Sequence, residues 1–180
     1  MSSEVPSDHP LRRVFSALVQ GVFLQSLGLR DPELAEYVAN LLVAFVHLDC
    51  VHRIRDARGR PLEEITEMLM EGDMRLTAPS FNREREVHKH IGDFALFWTG
   101  VYPEALTMMR AATRKDHLIS YVEQGKRSYY IASTFDFGEL RREAEILRQL
   151  SEQFELCVYG LNLVRREWEK MGELGASYGQ

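Results

Sequence analysis

The histidines of this chain are unevenly placed: His47 and His52 fall in the second predicted helix, His88 and His90 in the fourth. In the fourth, Glu84 and His88 stand four residues apart, and Glu86, His90 and Asp93 follow at steps of four and three. Such spacings put carboxylate and imidazole on one helical face. Helical bundles build metal sites from pairs of this kind, projected inward from facing helices. The chemistry within reach is metal binding or acid–base catalysis by His47, Glu84, His88 and Asp93. Glu84 and His88 continue along the stripe Ile91, Ala95, Trp98, nearest the expected core. The signal is weak. Neither the Glu-x-x-His of di-iron bundles nor the zinc motif HExxH occurs, and 19 Glu in one helical chain produce such pairs by chance. The simpler reading of each His is a surface or hydrogen-bonded structural residue.

Other chemistry is thinner. There is no P-loop and no GxGxxG after a strand. Cys50 and Cys157 lie 107 residues apart without a CxxC, and read as two reduced, buried thiols rather than a zinc site or a nucleophile. Arg53, Arg55, Arg58 and Arg60 crowd one turn but lack interleaved aromatics, so they read as a solvated connection and not a nucleic-acid contact. Tyr121, Tyr129, Tyr130 and Trp98 can line a ligand cavity; at helical spacing they read first as core. Cofactors stay unassigned.

Asp93 stands immediately before the apolar run "FALFW". A carboxyl group there needs a partner, because an unpaired buried charge is costly. Lys89 four residues earlier, an Arg or a backbone amide would supply it; a ligand role is the other reading. Gly92 and Gly100 flank the apolar turn and point to a helix packed close to the backbone.

Gly92-Asp93, Leu96-Phe97, Gly100 and Pro103-Glu104, followed by Tyr121, Gly125 and Tyr129, resemble a group of uncharacterised bacterial helical proteins. In these a GDxxLFxxGxxPE segment precedes a Tyr-x-x-x-Gly-x-x-x-Tyr helix and a long C-terminal helix. The similarity covers roughly residues 84–170. It implies an all-α fold and a bacterial source, and lends no activity.

The elements that must position these groups follow from composition and period. Leu, Glu, Arg, Ala, Met, Gln and Lys make up about half of the 180 residues, against 25 Val, Ile and Thr; this predicts an all-α protein. The pattern gives a single-domain up-and-down bundle of six or seven helices over residues 11–171, with a flexible start at 1–10 and a flexible tail at 172–180. Helices are expected over Leu11–Leu27, from a cap at Asp31 to about Ile54, over Leu62–Met70, and over Phe81–Thr99 with a cap at Ser80 and a stop at Gly100. Further helices are expected from Pro103, over Asp116–Thr134 with Leu118 on the inner face, and from a capping box at Asp136 and Glu139 to about Met171. In the last, Leu147, Leu150, Phe154, Cys157, Leu161, Val164, Trp168 and Met171 form an a/d seam. It either fills the core of the same chain or serves self-association.

A net charge of −5 disfavours nucleic acid and anionic membranes, and no apolar run approaches a membrane span. A cytoplasmic protein is expected. The leading functional reading is a non-enzymatic interaction, scaffold or adaptor module that binds a protein partner or itself as a homodimer. The alternative is a metal- or small-ligand-binding bundle, or an enzyme, using the polar groups of the second and fourth helices.

Overall fold

The computed structural model describes residues 9–46, 53–73 and 80–177. It is an all-α bundle, with eight α-helices and no strand among the described residues. Helix α1 (Pro10–Gln20) opens with Pro10 in its first turn and the His9 ring accepting from the Leu11 amide. It then widens into a π-helical turn over Gly21–Ser26, so the single α-helix expected to Leu27 is corrected. The wider turn aims Phe23 and Leu27 at Gly160, where an added Cβ would lie 2.7 Å from each. Gly28 reverses the chain with φ +69°, a conformation that favours glycine.

Helix α2 (Pro32–Val46) starts as the sequence predicts: Asp31 Oδ1 accepts from the amides of Glu33 and Leu34 at 2.9 and 3.4 Å. It does not reach Ile54. Arg53 and Ile54 are non-helical, and Arg55 forms an isolated antiparallel bridge with Pro61. The arginine-rich turn between them closes on Asp56, which accepts from the Arg58 and Arg60 amides, with Gly59 at φ +79°. Residues 47–52, which include His47, Cys50 and His52, lie outside the described residues.

Helix α3 (Ile65–Gly72) begins three residues later than expected. Helix α4 (Phe81–Val101) is capped by Ser80, whose hydroxyl accepts from the Arg83 amide at 3.2 Å. Gly100 does not stop it; the helix continues one residue further, with Gly100 buried inside it. There an added Cβ would lie 2.7 Å from Leu161 Cβ, so the glycine serves close packing rather than termination. The run Phe94–Phe97 is almost fully buried, as a helix apolar all round must be. Helix α4 packs against α2, α3, α6 (Tyr121–Ser133) and α8 (Phe154–Ser177) and forms the centre of the bundle.

Between α4 and α6 lie a 3-10 turn (Pro103–Ala105), the one-turn α5 (Leu106–Met109) and a second 3-10 turn (Lys115–Leu118). The helix expected from Asp116 therefore starts at Tyr121, and Leu118 is 82% exposed instead of inward. The C-terminal rod is two helices, α7 (Arg141–Glu152) and α8, broken at Gln153. No side-chain cap bond forms at Phe137 or Leu140, where the turn of Gly138–Leu140 and α7 begin; the Asp136–Glu139 capping box is not made. From Leu147 to Val164 the six seam residues are buried in this chain, while Trp168 and Met171 are 38% and 48% exposed. Helix α8 runs on to Ser177, past the expected boundary at 171.

Candidate functional site

Asp93 is held by two tyrosines. Its Oδ1 accepts from the Tyr37 hydroxyl of α2 at 2.6 Å and the Tyr129 hydroxyl of α6 at 2.7 Å. The local partners expected from spacing are thus corrected: Lys89 acts on Asp93 only through its charge, and its Nζ bonds Glu143 of α7 at 2.6 Å. Arg85 pairs with the same Glu143. Burial raises the Asp93 carboxyl above its ordinary range, opposed by Lys89 and the tyrosine hydroxyls. Burial likewise lowers Lys89 and raises both tyrosines. Four helices are thereby tied by one polar cluster. Gly92 makes it possible: an added Cβ would lie 2.4 Å from the Tyr129 ring.

His88 lies one turn before Gly92. Its Nδ1 is 3.2 Å from Ser128 Oγ, which also accepts from the Gln124 amide at 3.1 Å. The Ser128 hydroxyl can accept from or donate to Nδ1, so this contact serves either tautomer of a neutral ring. Burial, helped by the charge of Arg127, brings the His88 pKa down to about 4. The unfolded chain takes up this proton near pH 6.5 while the folded one does not, so stability is present above pH 6.5 and lost as pH falls toward 4. The expected loss is roughly 3 kcal/mol. Asp93, shifted upward, returns part of it below its own folded pKa. Urea midpoints of wild type and His88→Gln across this range check the prediction: the variant should lack that fall, and equal slopes would contradict it.

Glu84, His88 and Asp93 are not brought together as a ligand set. Among the described residues no group of three or more His, Cys, Asp or Glu side chains could hold a metal ion; His47 lies outside them. His90 is buried between the rings of Phe45 and Phe94, at centroid distances of 5.9 and 6.1 Å. Cys157 is a free, buried thiol, pushed up to about 12 by burial. The string Gly175–Gly179 reads G-x-S-x-G. Ser177 is the last residue of α8, whereas a nucleophile elbow needs a strand-to-helix turn.

The remaining motif residues are packing and bracing groups. Tyr121 and Tyr129 are buried, Tyr130 is 50% exposed, and a Cβ on Gly125 would lie 2.5 Å from the Phe154 ring. Asp116, which spacing alone did not single out, is fully buried. It accepts from the Ile65 and Thr66 amides, each at 2.8 Å, and from the Thr66 and Tyr121 hydroxyls, each at 2.7 Å.

A different arrangement stands at the surface where α4 ends. Arg165 of α8 donates to the Val101 carbonyl at 2.7 Å, pairs with Glu104 and Glu169, and lies 5.0 Å over the ring of Tyr102. Pro103 opens the turn that presents Glu104. Tyr102 is 43% exposed and touches the rings of Phe97 and Trp98. Trp168, one turn beyond Arg165, rests on Phe15 with ring centroids 5.0 Å apart. The result is an exposed aromatic surface whose parts are fixed from behind.

No protein-family model matches the chain, and neither a curated protein nor a solved structure matches it. No helix among the described residues is long and apolar enough to cross a membrane.

Proposed function

We propose that this chain is a protein-interaction module, scaffold or adaptor, whose contact surface is the bundle end around Arg165. The supporting observation is the exposure of Tyr102 under Arg165 and of Trp168 and Met171 further along α8, where the seam of that helix runs past its last buried residue, Val164. Tyr, Trp and Arg are the residues that dominate interface hot spots, and Met is enriched beside them. Phe15 and Trp98 hold the aromatic rings in place, which lowers the ordering cost of binding. A cytoplasmic setting belongs to the same reading.

Photo-crosslinking in cells of the source organism tests this reading. Benzoylphenylalanine replaces Met171 or, as control, Arg58 of the exposed turn. Protein adducts from position 171 and none from position 58 are expected. Their absence at 171 would refute the proposal.

A further inference from the structure

Resting on that reading, we infer that the partner is a second copy of this chain, packed antiparallel across Trp168 and Met171. In the heptad that runs through Leu161 and Val164, Trp168 takes position a and Met171 position d. Antiparallel pairing sets position a of one helix against position d of the other. A two-fold axis between Trp168 and Met171 then forms the same layer twice from one short surface. The two residues are 38% and 48% exposed, so each has surface left to bury.

Local charge does not oppose a like partner at this place. The whole chain carries −5, yet residues 165–173 hold three cations (Arg165, Arg166, Lys170) and three anions (Glu167, Glu169, Glu173). Two copies repel each other as wholes and meet there without net charge. Gly172, beside the seam, has open space where a Cβ would stand, which lets a second backbone approach. From Val164 to Ser177 the helix offers about 20 Å of length. Such a contact falls in the small, transient class of interfaces, so the dimer is weak and concentration-dependent.

Sedimentation equilibrium of the purified full chain, from micromolar to millimolar concentration, reads the outcome. The weight-average mass should rise from 20.8 kDa toward twice that value. Trp168→Glu and Met171→Glu should each weaken association about tenfold or more. Tyr159→Glu, on the outer face of α8 and 56% exposed, should leave it unchanged. Far-UV circular dichroism confirms that the variants fold; if Trp168→Glu does not, Met171→Glu decides. A wild-type mass fixed at 20.8 kDa, or equal weakening by Tyr159→Glu, overturns the second copy. A fixed monomer that still gives position-171 adducts with a different protein overturns this inference alone. A monomer without adducts overturns the interaction reading as well.

Discussion

Asp116→Ala is expected to lower the stability of the folded chain by about 4 kcal/mol, read from urea unfolding at neutral pH. The residue sits in the 3-10 turn before α6, yet its carboxyl oxygens close the N-terminus of α3, some fifty residues earlier in the chain. In return Glu64, at the cap position of α3, accepts from the Asp116 amide at 3.1 Å. Truncation leaves two backbone amides and the Tyr121 hydroxyl without their acceptor, while the Thr66 hydroxyl keeps only the longer bond to the Lys115 carbonyl at 3.3 Å. Each such buried donor costs about 1–3 kcal/mol, discounted where the opened site admits water. Loss of a helix cap by itself costs only about 1 kcal/mol, so a change of that size would show that the four bonds do not act together. A 4 kcal/mol loss would consume much of the stability of a typical domain, about 5–15 kcal/mol.

Gly92→Ala should destabilise by about 3 kcal/mol, although alanine is the better helix former. The helix-propensity gain is at most about 1 kcal/mol. Against it stands a methyl group 2.4 Å from the ring of a fully buried tyrosine. Overpacking of this kind costs about 1–3 kcal/mol. Tyr129 cannot yield cheaply, because its hydroxyl is tied to Asp93 at 2.7 Å and its ring packs on Phe154. Moving the ring therefore also strains the polar cluster. Differential scanning calorimetry of Gly92→Ala beside Tyr129→Phe measures the coupling. A neutral or stabilising Gly92→Ala would mean that α6 does not approach α4 as described.

What the sequence made legible was local. The caps at Asp31 and Ser80 follow from residue type next to an apolar period. The close approaches at Gly92 and Gly100 follow from small residues flanking an otherwise apolar turn. The seam from Leu147 to Val164 was visible as a period; that the core of the same chain fills it was one of two open readings. Its break at Gln153 was not visible, because the heptad spacing passes through the break unchanged.

The candidate site was legible only in half. That Asp93 must have a partner follows from burial, but Tyr37 is 56 residues away, and spacing on one helix cannot name it. Tyr129 stood in the same motif, with no periodic relation to say that it reaches across to α4. Asp116 escaped notice for the same reason: its partners lie on α3, fifty residues back. The π-helical turn at Gly21–Ser26 answers the open backbone at Gly160, a demand set by another helix altogether.

Hydrogen exchange of the full chain at two concentrations bears most directly on the claim that the seam is filled from within up to Val164 and open beyond it. Amides of residues 154–164 should be strongly protected at both concentrations, while those of residues 165–173 should gain protection only in the concentrated sample. Protection of 165–173 that ignores concentration, or rapid exchange across 154–164, would contradict the account.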